Sequence, residues 1–549
     1  MTTTPTLGGS QSDPAALRSA QLAKIARSDL AQAKRMAVEA RTEGLSSAVV
    51  HHLVGLTLQD AARYEEAVVE LGLGLKLAPR DAGLMITVGK CLLELNRRQE
   101  AAKVFETAMQ LAPMSPEAAY GYGCAAERLG ALDSAQSAFE RAVRLDPNHA
   151  DALAGLAGLA TRRRDWPLAR TMAERSFALN ERQTDALMNL ARIDLGQEAF
   201  EDARVRLEEI VELPFLKPLA RANVSMMLGD ALDGLGRHQK AFAAYAAGNA
   251  ELRELYASEF RTPGALTAPE VVRAMQTEFL DMPEESWVAP KRTLPAGPAR
   301  GHAFLMGFPR SGTTLLEQVL ATHPDVVALG ERPVMIDAEA EFMAGSGGMI
   351  KLAQVMSEML EPYRQAYWRR VREFSLDPAG KVFVDKHPLG AIRLPLSYKM
   401  FPGAKIIFAL RDPRDVVLSC FRRSFNMNAN MYELTTLEGA ARLYDTVMTA
   451  GETYLERLPV AAHRVRHETL VADFENETRA LCDFLDVEWT PSLADFAGTQ
   501  RAIATPSSVQ IGKGLYAESM GQWRNYALAL EPVREILAPW VDRYGYPPD

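Results

Sequence analysis

The chain has 549 residues, enough for about three or four domains of ordinary size, or fewer if one is a repeat array. A composition of 48% hydrophobic and 24% charged residues excludes a collagenous or wholly disordered chain. With 61 basic and 70 acidic residues the net charge is −9, so the protein as a whole has no electrostatic reason to bind nucleic acid or an anionic membrane, and any anion site must be local.

The first residues, MTTTPTLGGSQSD, lack the charged and apolar regions of a signal peptide, and the chain has no run of about 18 apolar residues. No membrane span is therefore expected. Cys91, Cys124, Cys420 and Cys482 stand singly, without metal-ligand spacing or disulfide density, which suits a reducing compartment. A cytoplasmic location is the expectation. Residues 1–47 read as a disordered start followed by a partial helical repeat marked by Ala33, Ala37 and Ala40.

A period of 34 residues follows. Small residues recur at Gly55, Gly89, Gly123, Ala157 and Ala191, then at Gly229 after a four-residue slip around Pro214 to Pro218. Twelve residues after each lie Ala67, Ala101, Ala135, Ala169, Ala203 and Ala241. Four further on come Leu71, Phe105, Phe139, Ala173, Leu207 and Tyr245. Two short helices joined by a tight turn fill such a unit, with small residues where the helices approach closely. The pattern resembles the tetratricopeptide repeat, which implies an α-solenoid of about six repeats over residues 48–250. Arrays of this kind hold a peptide or protein partner in a concave groove. His51 and His52 are adjacent on a helix and point in different directions, so surface or groove positions are expected and not a metal site.

Residues 251–300 change character. TPGALTAPE, DMPEESWVAP and TLPAGPARG are rich in Pro and Gly, while VVRAMQTEFL between them is helical, so a capping helix and a Pro-rich junction are expected here.

From residue 301 to 549 the pattern changes to short apolar runs, AFLMGF, KVFVDK, AKIIFAL and HRVRHE, separated by helical stretches. This alternation predicts an α/β domain with a parallel sheet, whose ligands bind beyond the carboxyl ends of the strands. The first run ends in Gly307-Phe308-Pro309-Arg310-Ser311-Gly312-Thr313-Thr314 and enters an apolar helix. Strand, Gly-containing loop and helix amino terminus make an anion cradle, because unpaired amides and the helix dipole converge. The frame is P-loop-like. However, Thr313 stands where a nucleoside-triphosphatase has its lysine, which argues against a Mg·triphosphate.

The run AKIIFAL leads to Arg411, and Asp412-Pro413-Arg414-Asp415 opens another helix with Pro413 in its first turn. Ser419 and Arg423 are four apart, on one helix face, and can share an anion with Arg411.

Together, PRSGTTLLEQVL and RDPRDVVLSCFRRS resemble the 5′-phosphosulfate loop and the 3′-phosphate motif of sulfotransferases that use 3′-phosphoadenylyl sulfate. The blocks PRSGTTLLEQVLATHPDVVALGE, VDKHP, RDPRDVVLS and SSVQIGKGLYAESMGQW are similar to the tyrosylprotein sulfotransferases. The resemblance implies that Arg310, Ser311, Gly312, Thr313 and Thr314 hold the 5′-phosphosulfate, and that Arg411, Ser419 and Arg423 hold the 3′-phosphate. It makes Glu331 the catalytic base, has Lys386 and Ser507 stabilise the transferring group, and lines the donor with Ser507 to Tyr516, including Lys513.

The chemistry asks for the same groups. Sulfuryl transfer to a hydroxyl needs a base for the acceptor proton and cations on the oxygens that gain charge. Glu331 follows the strand-like DVVALG, Lys386 ends KVFVDK, and Arg310 supplies a second cation without a metal. His387, beside Lys386, is the rival base. This sequence departs from the tyrosylprotein pattern at His467, where that family has tyrosine, and at Gln522, where it has lysine. The acceptor, a peptide tyrosine, a sugar or a small phenol, stays open. Two other readings are a non-catalytic repeat scaffold with a vestigial donor site and a small-molecule kinase.

Overall fold

The computed structural model describes residues 14–288, 297–498 and 520–548. It divides into two compact units, residues 1–206 and 207–549. Among the described residues no helix is long and apolar enough to cross a membrane.

The first unit is a run of antiparallel helix pairs. Helices Pro14–Ser28 and Leu30–Thr42 precede the expected array, and Ala33, Ala37 and Ala40 are fully buried in it. The pairs Ala48–Asp60/Tyr64–Leu77, Ala82–Glu94/Arg98–Leu111, Pro116–Arg128/Leu132–Leu145 and Ala150–Arg162/Trp166–Leu179 follow at the 34-residue period. Two of the sequence series turn out to be partners in contact. A side chain added at Gly89 would lie 2.6 Å from the ring of Phe105, and Gly123 faces Phe139 in the same way. The small residue of each first helix thus makes room for the large residue 16 positions later, and the interhelical distance closes over a buried ring. Ala157 and Ala173 form the same pair with two small residues, and Leu190 fills the space beside them.

His51 departs from expectation. It is buried, its Nδ1 lies 2.7 Å from Glu70 Oε1 and its Nε2 2.8 Å from Ser46 Oγ. A buried imidazole needs partners for both nitrogens, and the loop just before this helix and the next helix supply them.

The second unit begins before the Pro-rich stretch. The helices Pro218–Gly234 and His238–Leu255, the sixth repeat by sequence, belong to it. The helix Ala268–Asp281, with a capping box from Thr267 and Glu270, follows them. Met226, Leu232, Tyr245, Val272, Met275, Phe279 and Trp287 share one continuous core with the sheet residues Phe304, Met306, Phe383, Ile406 and Phe408. Compactness therefore groups the last repeat and the capping helix with the α/β fold, where residues 251–300 alone were expected to form the junction. Apolar side chains on these helices are buried against the sheet side, which the 34-residue period does not encode.

The sheet has five parallel strands: β1 Gly301–Met306, β2 Val326–Leu329, β3 Val382–Lys386, β4 Lys405–Leu410 and β5 Ala462–Arg466, in the order β2-β3-β1-β4-β5. Alternate residues of β1, β3 and β4 feed opposite cores: Phe304, Met306, Phe383, Ile406 and Phe408 face one, Ala303, Leu305, Val382, Val384 and Ile407 the other. Burial on both faces explains the near-continuous apolar runs. Because all strands are parallel, their carboxyl ends lie along one edge. Chain direction across the sheet reverses at β1, which sits between β3 and β4.

Candidate active site

The loop after β1 is shaped by two close approaches. A side chain at Gly307 would come 2.5 Å from the carbonyl oxygen of Ala409, so only glycine lets the loop cross β4 there. Arg310 has φ +71° and Gly312 φ +96°, left-handed conformations that turn the chain sharply into the helix Thr313–Ala321. For arginine this conformation is costly and is held by its surroundings. The amide of Phe308 donates to Ser311 Oγ at 3.3 Å, which closes the turn. Thr313 and Thr314 are buried in the first turn of that helix, whose dipole and unpaired amides favour an anion.

At the end of β4, each residue of RDPRD has a separate task. Arg411 is buried and donates to the carbonyl of Arg310 at 3.3 Å, which ties the β4 end to the cradle. Asp412 caps the helix Pro413–Phe421 by accepting from the amide of Arg414, and Pro413 takes the first turn. Arg414 lies 3.8 Å over the ring of Trp523 and donates to the carbonyls of Pro547 and Pro548. Asp415 accepts from the amides of Gly521 and Trp523. These last two residues clamp the C-terminal segment against the site.

Ser419 Oγ accepts from Arg310 Nε at 3.0 Å, so the cradle and the helix Pro413–Phe421 meet directly. Burial pushes the Arg310 guanidinium down to about 9, and Arg423 and then Arg411 add like-charge repulsion. Arg310 and Arg411 thus meet at one buried place beside Ser419, an arrangement suited to an anion. The helix ends at Phe421, and Arg423 lies beyond it, where it donates to Asp230 Oδ2 at 3.0 Å.

Lys386, at the end of β3, is fully buried. Its Nζ lies 2.7 Å from Glu331 Oε1 and 3.1 Å from Glu317 Oε2. Glu331 follows β2 and keeps 42% of its side chain exposed, so one oxygen holds the lysine while the carboxylate reaches solvent. Glu317 was not singled out in the sequence. Its signal was its place, one turn after Thr313 and Thr314 on the same helix.

Two histidines line this edge. Neither ring nitrogen of His467 has a hydrogen-bond partner among the described residues, and a side chain at Gly312 would meet its Nδ1 at 3.0 Å. Burial, then Arg411 and Arg310, holds His467 down to about 3, so it is a neutral imidazole facing the cradle. Buried imidazole nitrogens without hydrogen-bond partners among the described residues, beside Arg411 and Arg310, fit an oxygen-rich ligand that would pair them. His387 is held well below the usual imidazole range by burial, then by Arg393 and Lys386. Ser507, Lys513 and Tyr516 lie outside the described residues.

An anion cradle at the central strand with cations and a carboxylate at neighbouring strand ends gives a P-loop-like domain the chemistry to receive an anion. Residues 303–491 match the sequence model of the sulfotransferase family, and residues 89–150 and 125–176 match the tetratricopeptide repeat. An uncharacterized protein of Aquifex aeolicus is 24% identical over 345 residues, 60% of this chain and 43% of that protein. Protein-tyrosine sulfotransferase 1 of Danio rerio is 27% identical over 258 residues, 45% of this chain and 72% of its own length. The human protein-tyrosine sulfotransferase 1 is 26% identical over 265 residues, 45% of this chain and 69% of its own. The chain therefore spans less than half of the Aquifex relative. It joins tetratricopeptide repeats in its N-terminal half to a sulfotransferase-family domain.

Proposed function

We propose that the second unit transfers the sulfuryl group of 3′-phosphoadenylyl sulfate to a hydroxyl acceptor, with a protein or peptide tyrosine as the preferred one. The observation that carries this reading is the convergence of Arg310, Arg411 and Ser419 around the cradle, beside the Lys386–Glu331 pair at the neighbouring strand end. The tyrosine acceptor rests on the protein-tyrosine sulfotransferase relatives. The repeats of the first unit recruit the protein or peptide.

In the reaction the acceptor oxygen forms a bond to sulfur while the bond from sulfur to the 5′-phosphate oxygen breaks. Glu331, exposed at the site edge, takes the acceptor proton. Lys386, already oriented by two carboxylates, and Arg310 stabilise the charge that grows on the bridging and leaving oxygens without rearranging. The buried guanidinium of Arg411, with Ser419 and Arg423, takes the 3′-phosphate of the donor. His387 is a poor base at this site because its environment disfavours the imidazolium.

The test compares the donor with adenylyl sulfate, which has the same transferable group and no 3′-phosphate. Charge-assisted hydrogen bonds contribute about 1.5 to 3 kcal/mol each, so Arg411→Ala should weaken 3′-phosphoadenylyl sulfate by roughly one to two orders of magnitude. Adenylyl sulfate should lose clearly less, since Arg411 reaches the 5′ cradle only through the Arg310 carbonyl. Equal losses for both ligands in calorimetry would make Arg411 a structural residue. Failure of the intact protein to transfer sulfuryl from the 3′-phosphorylated donor to any hydroxyl would end the reading, and transfer of phosphoryl from Mg·ATP would replace it.

A further inference from the structure

The arginines at the end of the helix Pro413–Phe421 do not stand on the α/β fold alone. Asp230 and Asp233 lie three apart on the helix Pro218–Gly234, hence on one face. Asp230 accepts from Arg423 NH1 through Oδ2 at 3.0 Å and through Oδ1 at 3.3 Å. The hydroxyl of Tyr245, from the helix His238–Leu255, donates to the same Oδ1 at 2.8 Å. Asp233 takes the guanidinium of Arg422 and the hydroxyl of Tyr526, and His238 Nδ1 lies 3.1 Å from it. The Arg422 guanidinium also lies over the rings of Tyr245 and Tyr526, at 5.2 and 5.3 Å.

The backbone before these arginines is held by the same helix pair. Asn249 donates to the carbonyl of Phe421 at 2.7 Å, and Phe242 stacks on the Phe421 ring at 5.2 Å. Residues 421–423 are therefore fixed from one side by a repeat-type helix pair. Yet Arg423 follows by only four residues Ser419, whose Oγ accepts from Arg310 Nε in the cradle at 3.0 Å, and the Arg310 guanidinium feels its charge. Asp230 engages one terminal nitrogen of Arg423 and so fixes the direction of the planar fork, which matches phosphate only when correctly turned.

We infer that the terminal helix pair completes the donor site, with Asp230 as the positioning residue that aims Arg423 at the 3′-phosphate. The inference rests on the proposed role of Arg423. It gives the last repeat a duty distinct from partner binding: specificity for a 3′-phosphorylated nucleotide depends on a carboxylate 193 residues away in sequence.

The experiment uses the full chain and two probes, adenosine 3′,5′-bisphosphate and adenosine 5′-monophosphate, titrated by calorimetry. Asp230→Ala should lower the preference for the bisphosphate about fivefold, since a partly exposed pair orients more than it binds, and should leave the monophosphate unchanged. Asp230→Asn, which keeps the shape and an accepting oxygen, should lose less and serves as the folded control. On an Arg423→Ala background, Asp230→Ala should add no further loss, because the residue acts through that arginine. An unchanged preference in Asp230→Ala, with Arg423→Ala strongly affected, overturns the inference alone. Tighter bisphosphate binding in Asp230→Ala also overturns it, since Asp230 would then be a competitor for the arginine. If Arg423→Ala itself leaves the preference intact, the reading of Arg423 falls and the inference with it.

Discussion

Glu331→Ala is expected to lower kcat by about 10²-fold or more while affinity for adenosine 3′,5′-bisphosphate changes by less than about twofold, because a general base acts on the acceptor proton and not on the donor. The geometry sharpens this expectation. Glu331 is one of two carboxylates on the buried Lys386, and Glu317 still holds the lysine when Glu331 is gone. The variant thus removes the base without leaving a buried ammonium unpaired, the usual cause of collateral damage at such a site. Lys386→Ala is the contrasting case, since it leaves two carboxylates facing each other and removes the cation as well. His387→Ala should cost less than Glu331→Ala, because the buried imidazole is held well below its usual range and gains little by taking a proton. Steady-state rates of the two variants with one acceptor decide the matter. The opposite ranking would transfer the role to His387.

The features readable in the sequence were those with local periodicity or a fixed frame. The 34-residue series marked real contacts, since Gly89 and Phe105 face each other. The runs AFLMGF, KVFVDK and AKIIFAL became β1, β3 and β4 because strands buried on both faces need near-continuous hydrophobic stretches, whereas β5, from HRVRHE, is a largely exposed edge strand. The loop Gly307 to Thr314 and the Arg411 segment came together because a parallel sheet brings its strand ends to one edge. Asp230 and Asp233 showed no such signal. Acidic residues on a repeat helix look like a solvated face, and only the fold brings them to Arg423 and Arg422. Glu317 was hidden for the same reason, as its partner Lys386 lies far along the chain. Helical spacing also misled at one point. It placed Arg423 on the helix with Ser419, whereas the helix stops at Phe421 and Arg423 is held from outside.

A chain beginning near residue 290, in the Pro-rich stretch that sequence alone marks as the place to cut, is expected not to fold. One beginning near residue 212 is expected to fold and bind adenosine 3′,5′-bisphosphate. The earlier start keeps the helices Pro218–Gly234, His238–Leu255 and Ala268–Asp281, and with them Met226, Tyr245, Met275, Phe279 and Trp287 in the core shared with the sheet. Losing a buried aromatic or methionine side chain costs about 2 to 5 kcal/mol each, so five such losses together match or exceed the roughly 5 to 15 kcal/mol that separates a folded domain from its unfolded chain. The later start also removes the partners of Phe421, Arg422 and Arg423. Circular dichroism melts and nucleotide titration of the two fragments provide the check. A cooperative transition and undiminished nucleotide binding in the shorter fragment would show that the terminal helix pair is an accessory to the α/β fold. Loss of both in the shorter fragment alone would show that the catalytic unit begins inside the repeat array.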